Sequence, residues 1–255
     1  MDIEKVQKEF IKYTEKYDLS DVNIKRKQEH SIRVMRISKR IAEGMKLTQE
    51  EIDIATLIGL LHDIARFEQY TKYHTFKDAE SIDHGDLGAE ILKKDIKKYI
   101  ETDEYDELIQ LAVKNHNKYK IQEGLTQKQE MFAKIIRDAD KLDNFRVKEK
   151  ENFENIFPSK YNPETINYEV VSSKVYENFM KHKCIKLGDR ETQIDYWVCV
   201  IAFIFDLYFD VSLQYIKEKG YVDILVDRIQ YKNDITKKQM EDIRKCAKEY
   251  VNNRI

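Results

Sequence analysis

Residues that break helices are scarce in this chain. Its 255 residues include only two prolines and seven glycines. Tight turns between strands depend on such residues, whereas helix interiors disfavour them. Apolar residues also recur at helical rather than alternating spacing, as at Val34, Ile37 and Ile41. The sequence therefore predicts an all-helical fold, and it contains no internal repeat or low-complexity tract.

One stretch, residues 153–170, interrupts the helical periodicity. It contains both prolines, Pro158 and Pro163, which disfavour a continuous helix. We therefore expect the domain with the candidate site to occupy residues 1–150 and a helical extension to occupy residues 151–255.

The extension contains the longest apolar run of the chain, residues 197–205, between Asp195 and Asp206. A membrane helix needs roughly 18 apolar residues, so this run predicts a buried helix instead. We expect the extension to pack on the first domain as part of one compact body. The alternative is that it forms a lid or a homodimer surface.

The charge balance narrows the classes of partner. Lys and Arg number 45 and Asp and Glu 47, which gives a formal net charge of −2. Proteins that bind nucleic-acid polymers usually carry a basic excess, so we expect no such partner. A small anionic substrate needs only a few local cations. The charged opening segment lacks a secretory signal, and the three cysteines are far apart, so we expect a cytoplasmic protein with reduced thiols and no membrane association.

The first candidate ligand is His30. It precedes Val34 by one helical turn and lies on the stripe that continues through Ile37 and Ile41, so it points toward the core. A core histidine taken alone is more often a structural residue than a metal ligand.

A stronger indication comes from the mostly apolar residues 54–61, which lead directly into His62 and Asp63. A helix that is apolar nearly all round is buried, and a buried carboxylate is costly unless it is paired or bound to a metal. Adjacent helical residues lie about 100° apart, so both side chains can flank one point. An imidazole and a carboxylate suit a divalent cation. The alternative is a salt bridge from Asp63 to Arg66.

A further carboxylate comes from residues 133–145, where Asp138, Asp140 and Asp143 lie among apolar positions. Asp138 and Asp140 each lie roughly 100° from the centre of the apolar stripe, and Asp143 lies nearer to it. Periodicity does not select the ligand among the three.

These elements, in this order, resemble the signature of the HD domain: a lone histidine, a His-Asp pair after an apolar helix, and a distant aspartate in an A-D-[KR]-L setting. The resemblance covers roughly residues 20–147. It implies an all-helical HD-domain bundle and a metal-dependent phosphohydrolase acting on phosphate esters of nucleotides or related metabolites. The implied metal ligands are His30, His62, Asp63 and Asp140.

Two more histidines extend the resemblance. His84 begins a segment similar to the H-G-x-x-G-A segment of many HD proteins, and His116 lies on the stripe of Ile109, Ala112 and Val113. Family members with a second metal use histidines at these places. The alternative is that both orient a substrate phosphate or cap helices. The implied cofactor is one or two divalent ions, with Mn, Ni, Co, Mg, Zn and Fe all open, while His74 and His182 are expected at the surface.

The expected nucleophile is a metal-bound hydroxide. Arg66 is the first candidate for a cation at the phosphoryl group, because it lies one helical turn from both His62 and Asp63. Lys118 is a weaker candidate for substrate binding, and Lys141 a weaker catalytic candidate. Glu68 and Asp138 are both candidates for the general base. Asp138 is also a candidate for a residue that supports a metal ligand.

The chain departs from two better-defined HD subfamilies. It has neither the paired histidines nor the Gly-Tyr-Pro segment of the HD-GYP enzymes, and it has Ala65, Arg66 and Phe67 where guanosine-tetraphosphate hydrolases carry a Glu-Asp pair. The substrate therefore stays open. Two rival functions are a di-iron oxygenase, which uses a similar set of six ligands, and a non-catalytic nucleotide-binding or regulatory module.

Overall fold

The computed structural model describes residues 1–157 and 162–255, and all regular elements in these ranges are helical. The predicted all-helical class is therefore confirmed. Short 3-10 segments supplement the α-helices. The α-helices are α1 (Ile3–Thr14), α2 (Val22–Gly44), α3 (Gln49–Leu61), α4 (Ala65–Tyr73), α5 (His84–Asp95), α6 (Asp106–Asn115), α7 (Gln127–Lys150), α8 (Phe153–Ile156), α9 (Pro163–Ile166), α10 (Ser173–Met180), α11 (Gln193–Ile201), α12 (Asp210–Lys219), α13 (Tyr221–Asp227) and α14 (Asp234–Arg254).

The chain forms two compact units, Met1–Asp140 and Lys141–Ile255, and α7 runs from the first into the second. In the described part of the predicted break at residues 153–170, the helices are the short α8 and α9, and Pro158 lies outside the described residues. The expectation that residues 151–255 pack on the first domain as one body stays a prediction.

In the first unit, α2 packs along α3, which also contacts α1 and α6, while α5 packs against α4 and α6. Helix α3 begins with a capping box, in which Thr48 and Glu51 each accept a hydrogen bond from the other's backbone N–H. All of residues 54–61 are buried, as their composition predicts. This burial places the residues that directly follow α3 inside the unit.

A glycine allows α2 and α3 to approach closely. A Cβ atom at Gly59 of α3 would lie 2.6 Å from Ser38 Oγ and 2.9 Å from the Cα atom of Met35, both on α2. Such distances are shorter than van der Waals contact. Only glycine therefore permits this spacing of the two helices.

In the second unit, α14 contacts α10, α12 and α13. Helix α11 begins with a capping box between Thr192 and Asp195, and the apolar run continues past Ile201 in a 3-10 segment. Trp197 is fully buried, and its Nε1 donates a 2.8 Å hydrogen bond to the Leu225 carbonyl. The run 197–205 is thus largely core, as predicted. Among residues 1–157 and 162–255, no helix has the length and apolar character to cross a membrane.

Candidate metal centre

Six side chains from the first unit converge at one place. They come from the middle of α2, the two residues after α3, the start of α5, the residue after α6, and the part of α7 that belongs to this unit. All of them are buried except one carboxylate, which is partly exposed. The six are His30, His62, Asp63, His84, His116 and Asp140.

Three of these side chains form a first group around His30. Its Nε2 atom lies 3.2 Å from His62 Nε2 and 3.2 Å from Asp140 Oδ1. The Oδ2 atom of Asp63 faces this group, at 3.6 Å from His30 Nε2 and 3.7 Å from His62 Nε2. The four ligands that the HD resemblance implies therefore lie together in the structure.

His84 and His116 form a second group beside the first. Their Nε2 atoms are 3.0 Å apart, and each lies 3.5 Å from the Oδ1 atom of Asp63. Asp63 therefore presents one carboxylate oxygen to each group. A carboxylate in this position can bridge two cations.

A hydrogen bond at the far side of the ring orients both His62 and His116. His62 Nδ1 lies 2.8 Å from the Gly59 carbonyl, and His116 Nδ1 lies 2.6 Å from the Val113 carbonyl. A carbonyl oxygen only accepts, so this network assigns the proton to Nδ1 in both rings. In the neutral imidazole, Nε2 then carries a lone pair directed at the cluster.

The third oriented ring is that of His84, whose partner is a carboxylate. Its Nδ1 lies 2.6 Å from Asp78 Oδ2, and Asn117 and Gln69 also donate hydrogen bonds to Asp78. Histidines that ligate metals commonly donate their other ring N–H to a carboxylate or carbonyl, which fixes the tautomer. The sequence analysis missed Asp78, because it begins a 3-10 segment of only three residues, which is too short to carry a periodic signal.

Burial sets the protonation states of the cluster. It lowers the pKa of His62 to about 3, although Asp63 and Asp140 act in the opposite direction. It also lowers the pKa of His84 to about 4, against the hydrogen bond to Asp78. Burial opposes ionisation of Asp63, but the charges of Lys27 and Arg66 hold its pKa well below the usual range. His62 and His84 are thus neutral and Asp63 and Asp140 are ionised, the forms that bind metals.

The donor set fits a divalent cation. Ligand atoms of His30, His62 and Asp140 all lie within 4.8 Å of one another, and so do those of His62, Asp63 and His116. Imidazole nitrogens and carboxylate oxygens are ligands for Zn, Mn, Fe and related ions. Directed lone pairs and buried carboxylates at these distances repel one another unless a cation or proton lies between them. The residues present therefore fit one or two such ions.

Two cations contact Asp63, one at each oxygen. Lys27 Nζ donates a 2.8 Å hydrogen bond to Oδ2, and Arg66 Nε lies 3.4 Å from Oδ1. The Asp63–Arg66 ion pair considered as an alternative is thus present together with the clustered ligands. The sequence analysis missed Lys27, although its position three residues before His30 places both on one face of α2.

Arg66 also holds the loop before α5. Its Nη1 donates to Gln69 Oε1 at 2.7 Å, to the Phe76 carbonyl at 2.7 Å and to Asp78 Oδ1 at 3.1 Å. Arg66 therefore links Asp63 to the loop that carries the partner of His84.

The structure places the weaker cation candidates in other ion pairs. Lys118 Nζ lies 2.6 Å from Asp83 and 2.9 Å from Asp86, and Lys141 Nζ lies 2.9 Å from Asp206 within the second unit. These ion pairs hold both ammonium groups on carboxylates that are not among the six clustered side chains.

The remaining candidates differ in exposure. Glu68 is exposed and interacts electrostatically with Tyr13 and Tyr17, whereas Asp138 is fully buried in α7. His74 and His182, expected at the surface, are exposed.

Arg137 supports the second group from α7, a role that the sequence analysis missed. This buried side chain donates to the carbonyls of Asn115, Lys118 and Tyr119, which flank His116. It therefore fixes the backbone turn that carries His116.

Comparison with known proteins agrees with this geometry. The family model of the HD domain matches residues 28–144, a range that contains all six clustered side chains. No curated protein and no solved structure matches the chain. Residues 28–144 are therefore similar to the HD domain, and the resemblance predicted from the sequence motifs is confirmed over this segment.

Proposed function

We propose that this protein is a phosphohydrolase that uses a divalent metal to hydrolyse a phosphate ester of a nucleotide or another small phosphorylated metabolite. The observation that carries the proposal is the position of Asp63, whose two oxygens face two separate histidine groups. Hydrolysis of a phosphate ester needs positive charge near the phosphoryl oxygens and an activated water, and metal sites of this kind provide both.

A divalent ion, when bound, supplies the Lewis acid that polarises a phosphoryl oxygen and acidifies a coordinated water. His30, His62, Asp63 and Asp140 would hold one ion, and His84 and His116, with the other oxygen of Asp63, would hold a second. The protein's own contribution is to keep His62 and His84 neutral and to orient three of the rings through the Gly59 and Val113 carbonyls and Asp78. This preorganisation lowers the cost of assembling the site for each reaction.

Arg66 is proposed to stabilise charge on the phosphoryl group. It lies beside Asp63, and its hydrogen bonds to Gln69, Phe76 and Asp78 hold the guanidinium in one orientation. A fixed guanidinium loses little conformational freedom when it binds an anion. The ion pairs of Lys118 and Lys141 make them weaker proposals for substrate binding and catalysis.

The test is a screen of phosphorylated metabolites with the purified protein. The metal-free protein would be loaded separately with Mn, Ni, Co, Mg, Zn or Fe, and phosphate release measured together with metal content. Release should require metal and should disappear in Asp63→Asn, which keeps the shape of the side chain and removes its charge. Fully metal-loaded protein that releases no phosphate from any compound would contradict the proposal.

A di-iron oxygenase is the second candidate, because all six side chains of the required ligand set lie together. Two tightly bound iron atoms and oxygen consumption with substrate would favour it. Phosphate release under nitrogen with Mn or Ni would exclude it. A non-catalytic module is less well supported, since a degenerate site would lack some of these ligands.

A further inference from the structure

We propose that Lys27 is a substrate-binding residue that pairs with Asp63 in the metal-free protein and with the phosphoryl group of the substrate in the metal-loaded protein. The inference rests on the proposed function and names a residue of the same site. It assigns a phosphate-binding role to a lysine that lies outside the ligand set.

The position of Lys27 supports this exchange. Its Nζ lies 2.8 Å from Asp63 Oδ2, and its side chain is 22% exposed, whereas that of Asp63 is 4% exposed. The lysine therefore lies on the more solvent-accessible side of the carboxylate. An anion arriving from solvent would therefore have better access to Lys27 than to the Asp63 carboxylate.

The oxygen that Lys27 contacts is also the one that faces the first histidine group. Asp63 Oδ2 lies 3.6 Å from His30 Nε2 and 3.7 Å from His62 Nε2. A divalent ion bound by these atoms would share that oxygen with the ammonium group. Two cations that contact one oxygen repel each other strongly, so metal binding would weaken the ion pair between Asp63 and Lys27. The ammonium group then needs another anion.

An aromatic surface keeps Lys27 close to the site while its partner changes. Lys27 Nζ lies 5.2 Å from the ring centroid of Phe76, and the guanidinium carbon of Arg66 lies 5.6 Å from the same centroid. Phe76 stacks on Tyr70, at 4.7 Å between centroids. Tyr70 is tied in turn to α2, because Asn23 Nδ2 donates a 2.7 Å hydrogen bond to its hydroxyl. A cation over an aromatic face is attracted to it, so both cations stay near Asp63.

This arrangement suits a phosphoryl dianion better than a carboxylate or a neutral ligand. Lys27 and Arg66 approach different oxygens of Asp63 and share one aromatic face. A phosphoryl group carries several anionic oxygens and can contact two such cations and a metal together. Lysine contributes as a mobile point charge, and arginine as a fixed fork.

The experiment compares Lys27→Met with Lys25→Met, an identical substitution at an exposed position of the same helix. Both proteins would be titrated with Mn²⁺, and the Mn²⁺-loaded proteins with inorganic phosphate, by calorimetry. Lys27→Met should bind Mn²⁺ at least as tightly as the wild type, because a competitor for Asp63 is gone. It should bind phosphate at least tenfold more weakly. Lys27→Arg should recover part of the phosphate affinity, and Lys25→Met should match the wild type in both titrations.

The opposite pattern would overturn the inference. If Lys27→Met loses Mn²⁺ affinity and keeps wild-type phosphate affinity, Lys27 is only a structural partner of Asp63.

Failure of the proposed function would give a different result. A wild-type protein that hydrolyses no phosphate ester but whose phosphate binding depends on Lys27 refutes the reaction and keeps the binding role. A wild-type protein that hydrolyses esters with a KM unaffected by Lys27→Met keeps the reaction and refutes this role.

Discussion

Replacement of Gly59 by alanine would test how closely α2 and α3 must approach for the metal centre to form. The new Cβ would lie 2.6 Å from Ser38 Oγ and 2.9 Å from Met35 Cα. Carbon atoms in contact prefer about 3.5–4.0 Å. The serine side chain can rotate, but the Cα atom belongs to the backbone of α2. The two helices must therefore separate by roughly 0.5–1 Å at this point, on the same contact distances.

Two opposing effects set the change in stability. Alanine is better than glycine inside a helix by about 0.5–1 kcal/mol. Overpacking a dense core costs about 1–3 kcal/mol. The cost of overpacking outweighs the gain in helix propensity because the closest fixed contact is backbone, so we expect a net loss of about 1–2 kcal/mol. For a chain of this size, that loss lowers Tm by about 2–8 °C.

The same separation should weaken metal binding. His30 lies on α2, while His62 and Asp63 directly follow α3, so a change in helix spacing alters the distance between ligands. Metal sites tolerate deviations of only about 0.2 Å. We expect at least a roughly tenfold loss of Mn²⁺ affinity, comparable to the loss of a residue that orients a ligand.

Thermal unfolding of the metal-free protein and a Mn²⁺ titration would measure the two effects. Gly188→Ala is the matched control, since a Cβ at Gly188 meets nothing within 4 Å. It should leave both quantities close to wild type. The reasoning is refuted if Gly59→Ala raises Tm and binds Mn²⁺ with wild-type affinity. The gain in helix propensity would then outweigh any overpacking between α2 and α3.

Three further predictions concern the metal and its surroundings. Mn²⁺ at about 1,000 times its Kd should stabilise the protein by about 4 kcal/mol and raise Tm by about 8–16 °C in calorimetry; a shift that survives in Asp63→Asn would show that Mn²⁺ binds elsewhere. Asp78→Asn should weaken the second metal ion by about 10–100-fold in a calorimetric titration, because His84 loses the carboxylate that fixes its tautomer; unchanged affinity and stoichiometry would contradict the two-ion arrangement. The folded metal-free protein holds the pKa of His62 at about 3 and that of His84 at about 4, both below the ordinary value of 6.5. The unfolded chain therefore binds more protons below pH 6.5, and stability should fall from pH 6.5 toward pH 4.5 by up to about 1.4 kcal/mol per pH unit for each histidine. Urea unfolding across that range would measure the slope, and a flat profile would contradict the buried neutral state.

The helical class and the burial of residues 54–61 were predictable because both depend on local spacing. Apolar residues repeated at helical intervals form a face whatever the rest of the chain does. The segment before His62 and Asp63 is apolar nearly all round and is therefore buried, so the residues that follow it directly also lie in the interior. The ligand candidates of the first group followed from this burial together with the HD resemblance.

Among the three aspartates of residues 133–145, helical geometry left the ligand open. The structure places Asp140 Oδ1 3.2 Å from His30 Nε2, while Asp138 and Asp143 are fully buried. The angular position of a residue on its helix does not say which neighbouring helix lies opposite. That choice depends on how α7 packs within the first unit.

The sequence by itself determined the helices, their buried faces and the types of ligand atom that this protein can offer. Only the tertiary structure decided that Asp63 faces two histidine groups and that Lys27 and Arg66 each contact one of its oxygens. It also decided that Asp78 contacts His84 from a short 3-10 segment. The spacing of residues along one helix sets the direction in which each side chain points. The distance between two helices follows instead from packing contacts, such as that of Gly59 with Ser38. Metal binding depends on the distance between helices, because the ligands come from different helices.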